Sequence, residues 1–330
     1  MKAWVCRAFQ DPFVLAVEDI PVPQPGPGQV QIRVIAAGLN FGETLVLKGT
    51  YQKTPPLPYV PVSEMAGIVT ACGEGVNQFK LGDAVSAFSF SLEGGGLAEY
   101  AVMPQAFVFA KPDTISFEQA AAYPINYWTC FNALENRGGL KAGETLVVHG
   151  AAGGIGVAAV QLGKAMGATV IGTGSDDGRL AQVRALGADH VINLRTENAR
   201  DRIKELTGGR GADVYLDPVG GEAFELSMRA IAPGGRILVV GFTSGLPALA
   251  KTNVLLVKMI SIIGVEARLA IETTGGRGMA DYHRMLGWIE DGRISPHVGC
   301  IYAFEDVIRG YEDILARRTV GKNVVRISKS

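Results

Sequence analysis

The sequence predicts an α/β chain: a β-rich first part followed by a doubly wound, six-stranded parallel sheet. Three observations predict it. Up to about residue 120, short apolar runs are separated by proline and glycine, and few stretches have helical spacing. From Pro124 onward, short β-branched runs alternate with helical segments. A glycine-rich turn, "VVHGAAGGIGVAAVQLGKAMG", follows the first of those runs and opens the first of those helices.

Taken in order, "VQIRVIAAGL" alternates as a strand does, and "EMAGIVTACG" reads as a strand whose glycines allow a bulge. "PVPQPGPGQV" and "KTPPLPYVP" are proline-rich loops. The parallel strands fall at 145–150, 169–173, 190–193, 214–219, 236–242 and 261–265. Helical spacing follows the first four, at 156–166, 179–186, 200–206 and 224–231. Six strands match the two mononucleotide-binding halves of a doubly wound sheet. After about residue 270 come "MADYHRMLGWIEDG", "FEDVIRGYEDILA" and a closing strand, "KNVVRI". This tail reads as a return to the first part, so the expected domains are 1–122, 123–266 and, returning, 267–330.

Bulk properties exclude several classes. A chain of 330 residues exceeds the ~250–300 at which a single core stops growing. Its 48% hydrophobic and 19% charged residues describe an ordered globular protein. Lysine plus arginine (31) balances aspartate plus glutamate (32), which leaves no field for a nucleic acid or an anionic membrane to follow. Cys6, Cys72, Cys130 and Cys300 lie too far apart for metal knuckles and are too few for a disulfide framework. The opening "MKAWVCRAFQDPF" lacks the apolar core of a signal peptide, and no apolar run approaches the ~18 residues of a membrane span. A soluble cytoplasmic protein without membrane or nucleic-acid partners is expected.

The glycine turn fits the dinucleotide fingerprint as Ala151-x-Gly153-x-x-Gly156, with Gly150 taking over the tight bend. Together with Gly154 and Ile155, these residues are the expected pyrophosphate contacts, with the helix presenting its positive end. NAD sites place an acid at the end of the second strand; that position is Gly174. Ser175 can donate to a 2′-phosphate, and Arg179 can clamp it with two bonds. Asp176 and Asp177 argue the other way unless they cap the following helix. The balance predicts NADPH.

The whole chain resembles the medium-chain dehydrogenase/reductase superfamily, specifically its zinc-free quinone oxidoreductase branch, which includes zeta-crystallin. "GLNFGETLVLKGTYQ", "PYVPVSEMAGIV", "FKLGDAV", the glycine turn, "DPVGG" and "VVGFTSG" carry the resemblance. It implies a GroES-like catalytic domain interrupted by a Rossmann domain, with the cofactor in the cleft between them. The zinc-dependent branch keeps a cysteine at Asn40 and a histidine at Ser63, before Glu64; amide and hydroxyl groups are poor zinc ligands, so no metal is expected. The implied reaction is hydride transfer to an electrophilic small molecule, a quinone or an α,β-unsaturated carbonyl.

By the same resemblance Tyr51 is a candidate proton or hydrogen-bond donor to the acceptor oxygen, or else an aromatic wall. Asn40 is a candidate amide contact to the nicotinamide ribose or the acceptor, or else a turn residue. Thr129, Val219, Gly241, Phe242, Lys322 and Asn323 are the further implied cofactor contacts. Asn126, Tyr127 and Trp128 suggest an aromatic, partly polar acceptor pocket, and Leu194 replaces a tyrosine that relatives often carry. The resemblance also implies pairing of the last sheet strands across a two-fold axis; "SIIGVEA" is apolar enough to be such an edge, so a homodimer is expected. Two alternatives stay open: an enoyl-thioester (acyl-CoA-type) reductase using Arg268 and Arg277, and a non-enzymatic, crystallin-like NADPH-binding protein.

Overall fold

The computed structural model describes residues 1–90, 94–272 and 277–328, with the side chain of Arg277 outside the described part. The chain divides into two units: Met1–Ile125 with Pro296–Ser330, and Asn126–Ser295.

The first unit is organised by one long strand, Gln29–Leu39. It pairs antiparallel with Glu64–Cys72, with Tyr100–Pro104 and with the tail strand Lys322–Arg326. Ala84–Phe88, Val108–Ala110 and Val298–Tyr302 complete a seven-stranded sheet. The long strand is buried almost throughout, not alternately, because both its faces are covered. Val30, Ile32 and Val34 belong to the unit's core cluster. The other cover is the helix Phe117–Ala122, whose buried Ala120, Ala121 and Ala122 let it come very close. A Cβ at Gly38 would lie 2.3 Å from the Ala121 carbonyl oxygen, so only glycine fits there.

The second unit is the expected doubly wound sheet. Its strand order is His190–Asn193, Thr169–Gly174, Thr145–Val148, Ala212–Asp217, Ile231–Val239 and Ser261–Gly264, all parallel. In sequence order that is 3-2-1-4-5-6, the Rossmann arrangement. The helices Gly154–Ala165, Asp177–Ala185, Ala199–Leu206 and Gly221–Ala230 lie within a few residues of their predicted positions. Val147, Ile171, Tyr215, Phe224 and Ile237 form the core between sheet and helices. Strand five starts earlier than its apolar run, through an irregular lead-in where the register shifts between Ala212 and Val214.

The expected return to the first unit at residue 267 is corrected: the chain crosses back at Pro296. The helix Arg277–Glu290 belongs to the second unit. Tyr282 packs on Trp128 at 6.0 Å, Trp288 packs edge-on to Phe131 at 5.4 Å, and Asn136 Nδ2 donates to Asp281 at 3.0 Å. The end of the strand–helix alternation near residue 270 marks the end of the sheet, not of its cover. The forward crossing lies at Ile125, within the helix Pro124–Phe131, not at 122. Among the described residues no helix is long and apolar enough to cross a membrane.

Candidate nucleotide and catalytic sites

In the second unit, the turn after the first strand is built for close approach. Gly150 adopts φ 58, the left-handed bend expected of it. Ala151 N–H bonds back to Thr173 at 3.0 Å, and Gly153 N–H to Gly150 at 2.9 Å. The first i−4 bond of the helix runs from Val157 to Gly153, so the N–H groups of Gly154, Ile155 and Gly156 precede it as open-ended donors. The N-cap is Gly153, and no side chain caps the helix. A Cβ at Gly156 would lie 2.4 Å from the Gly150 carbonyl oxygen, so packing alone requires that glycine. A Cβ at Gly153 would make only an ordinary 3.4 Å contact. Packing does not demand glycine at 153; a ligand brought against the backbone would.

Two neighbouring loops share this edge of the sheet. The buried Asp217 accepts from the N–H groups of Val219 (2.8 Å) and Gly220 (2.9 Å). Thr243 and Ser244 N–H bond to Pro218 and Val219, which ties the loop after strand five to the loop after strand four. Val219 lies over Gly150, Phe242 beside Gly220, and Gly241 beside Pro218. The Cys130 thiol donates to the Ile155 carbonyl at 3.2 Å, which sets the helix carrying Thr129 next to the turn. Beneath the turn His149 is fully buried between Thr173 (2.9 Å) and Ser227 (2.8 Å), and burial pushes its imidazole pKa down.

At the end of strand two, Gly174 carries no carboxylate, and a Cβ there would crowd Leu180 Cδ2 at 3.0 Å. Asp176 caps the next helix, its carboxylate accepting from Arg179 N–H at 2.8 Å, a bond that holds its pKa down. Arg179 Nε lies 3.5 Å from the same carboxylate. Asp177 instead accepts from Asn193 Nδ2 at 2.7 Å. Both acids that could oppose a 2′-phosphate are therefore engaged with the protein itself.

In the first unit, a buried polar cluster surrounds Asn40. Asn40 is the N-cap of the helix Phe41–Leu47. Its Nδ2 donates to Glu64 Oε1 at 2.6 Å, and the Lys322 ammonium donates to both Asn40 Oδ1 and Glu64 Oε1. The second Glu64 oxygen accepts from Ile125 N–H at 3.0 Å, so this fully buried carboxylate is satisfied on both sides. On the backbone side, Glu43 accepts from Asn40 N–H at 3.0 Å and from the Tyr311 hydroxyl at 3.2 Å. Burial pushes the Glu43 carboxyl up to about 7, partly opposed by the Lys322 ammonium. Gly38 makes the cluster possible, since a Cβ there would lie 2.8 Å from Lys322 Cε. Tyr51 follows the helix Phe41–Leu47, its N–H bonded to Leu45 at 3.2 Å and its ring half-exposed beside Gly42.

Known proteins share both halves. Residues 26–113 match the family described as alcohol dehydrogenase GroES-like domain, and residues 154–286 the family described as zinc-binding dehydrogenase. Quinone oxidoreductase of Rattus norvegicus is 36% identical over 317 residues, covering 96% of this chain and 94% of that protein. The chain belongs to the quinone oxidoreductase family of medium-chain dehydrogenases/reductases. Among solved structures, Escherichia coli quinone oxidoreductase complexed with NADPH superposes with a TM-score of 0.90 at 29% identity, covering 99% of this chain and all of that one. An NAD-dependent alcohol dehydrogenase superposes with a TM-score of 0.91 at 32% identity, over 99% of this chain and 100% of that one.

Within this member of the quinone oxidoreductases, several of the residues singled out in the sequence are engaged with the protein itself. The Lys322 side chain is buried, with its ammonium donating to Glu64 and Asn40 inside the first unit. Asn323, one position along the strand, faces the opposite way, and its Nδ2 bonds to the Gly310 carbonyl at 3.2 Å inside the unit. Tyr127 and Trp128 do not wall an acceptor pocket: Trp128 donates to Ala267 at 3.2 Å and Tyr127 to Gln161 at 2.8 Å, both in the interior of the nucleotide unit. Leu194 is exposed. Arg268 is paired with Glu272 at 2.7 Å, and the Arg277 side chain lies outside the described residues. Sequence reasoning gave no role to Glu43 or Tyr311. The available signal for Glu43 was its place three residues after an N-cap asparagine, the capping-box spacing.

Proposed function

We propose that this protein is an NADPH-dependent oxidoreductase that delivers hydride, without a metal, to a quinone or an α,β-unsaturated carbonyl compound. The observation carrying the cofactor choice is the end of strand two: Gly174 has no carboxylate, and the exposed Asp176 and Asp177 each accept a hydrogen bond from the protein itself, from Arg179 N–H and Asn193 Nδ2. The names of the relatives support the acceptor class. When bound, NADPH supplies the hydride.

The chain's own residues do the rest. N–H groups of Gly154, Ile155 and Gly156 hold the pyrophosphate at the uncapped helix start. Ser175 and Arg179 hold the 2′-phosphate, and Thr129, Ala151, Gly153, Val219, Gly241 and Phe242 line the remaining nucleotide path. Asn40, with one amide proton committed to Glu64 and its oxygen to Lys322 and the capping box, offers its second amide proton to the nicotinamide ribose or the acceptor. Tyr51 donates a hydrogen bond to the acceptor oxygen as charge develops there. The metal-free reading rests on the donors: Asn40 and Ser63 supply amide and hydroxyl, and the Lys322 ammonium already sits on Glu64. We propose further that a second copy pairs along Ser261–Gly264, where the edge strand adjoins the exposed Leu256, Val257 and Met259.

The test is an acceptor panel of quinones, 2-enals, enones and enoyl thioesters, run with NADPH and NADH, with and without chelator. Expected are chelator-resistant turnover of quinones or enones and, in Arg179→Ala, an NADPH KM raised about 10- to 100-fold with NADH little changed. Equal losses with both nucleotides would reject the 2′-phosphate assignment. Bound NADPH that neither 1,4-benzoquinone nor a 2-enal oxidises would make this a binding protein.

A further inference from the structure

The Asn40 cluster buries two carboxylates, Glu43 and Glu64, around one ammonium, Lys322. With all three ionised it carries a net negative charge out of contact with water, an arrangement a low-dielectric interior resists. Glu64 is satisfied by Lys322, Asn40 Nδ2 and Ile125 N–H. Glu43 has only the Asn40 N–H and the Tyr311 hydroxyl as hydrogen-bond partners among the described residues. Both carboxylates thus meet at Asn40, one through its backbone and one through its amide.

We propose that Glu43 is a positioning residue whose carboxyl, by keeping or losing its proton, sets how firmly Lys322 and Glu64 hold the Asn40 amide. With Glu43 neutral, the ammonium is shared between Glu64 and Asn40 Oδ1, and the amide is fixed at both ends. With Glu43 ionised, a second carboxylate competes for the same ammonium, and the Asn40 Oδ1 contact is the one that weakens. The groups facing Glu43 are Lys322 from the tail strand, Glu64 from its neighbouring strand, Tyr311 from the helix Val307–Leu315, and Tyr59, with Cys6 beyond it. Burial raises both tyrosines, so they stay neutral through the physiological range. Burial brings Glu43 to about 7, which places its change of charge inside that range. The consequence for the cofactor rests on the reading of Asn40 given above; the coupling of Glu43 to Asn40 does not.

The experiment follows the Asn40 side-chain amide by ¹⁵N NMR in the cofactor-free protein from pH 5.5 to 8.5, assigned by its loss in Asn40→Ala. Expected is one inflection near pH 7 in the wild type, absent in Glu43→Gln. A flat wild-type titration, or an inflection that persists in Glu43→Gln, overturns the proposal. Should Glu43→Gln not fold, ¹³C titration of the Glu43 carboxyl in the wild type and in Tyr311→Phe replaces it. Loss of the hydroxyl donor then raises the shared inflection, and different midpoints for the Glu43 carboxyl and the Asn40 amide overturn the coupling. The NADPH Kd, measured by fluorescence across the same range, is expected to rise at least about threefold above the inflection in the wild type. An amide that titrates while the Kd stays constant upholds the Glu43 coupling and rejects Asn40 as a cofactor contact.

Discussion

The glycine turn is made of neighbouring residues, Gly150 to Gly156, whereas the Asn40 cluster joins side chains up to 282 residues apart. The turn offers backbone N–H groups that need no side chain, and its demands on sequence are mostly demands for the absence of one. The cluster does the reverse. Asn40, Glu43, Glu64, Tyr311 and Lys322 each act through a particular functional group, and each is satisfied only because the others are in place. A site made of backbone tolerates changes that leave the chain path intact; a site of buried charges fails when one partner is lost.

That contrast can be broken or sharpened by substitution. The largest effect is expected from Lys322→Met, which leaves Glu64 buried beside Glu43 without a cation. It should cost about 3–5 kcal/mol in urea unfolding, and Lys322→Met with Glu64→Gln should recover most of it. A cost under about 1 kcal/mol for the single variant would mean that the cluster does not behave as a unit.

The next effect is a pH dependence. The Glu43 carboxyl is raised from an ordinary 4.5 to about 7, so between those values the folded state holds a proton that the unfolded state has released. Its contribution is fully present below 4.5 and is lost as pH rises through 7. Stability should fall over that window by at most about 3 kcal/mol, and Glu43→Gln should remove the slope. Chemical unfolding at pH 5, 6, 7 and 8 measures it.

The smallest effect on stability is expected at the turn. Gly156→Ala forces a Cβ toward the Gly150 and Ala151 backbone and should cost about 1–3 kcal/mol. Gly153→Ala should cost much less stability, since its Cβ meets only an ordinary contact, yet still weaken NADPH. Thermal unfolding alongside fluorescence titration separates the two. Equal stability losses at both positions would erase the distinction between glycine kept for packing and glycine kept for the ligand.

How much was legible follows the same line. The six strands, the order of their helices and the glycine turn are local patterns, and the structure has them nearly where the sequence places them. Gly174 was readable as a missing acid; that Asp176 and Asp177 are hydrogen-bonded by the protein itself was readable only as a possibility of capping, and only Asp176 caps. Which way Lys322 and Asn323 face was not legible, because a strand's facing is set by what covers each side. The unit to which the helix Arg277–Glu290 belongs was not legible, because an amphipathic stripe shows that a helix is covered, not by what.

The sequence alone determined the doubly wound sheet and the glycine-rich, uncapped helix start, because periodicity, glycine placement and β-branched runs act over a few residues, and its motifs carried the family resemblance. Tertiary structure decided where the chain returns, which way Lys322 points and that Glu64, Tyr311 and Lys322 meet the Asn40–Glu43 turn. Those outcomes depend on long-range strand pairing and on the energy of burying charge, and no local stretch of sequence contains either.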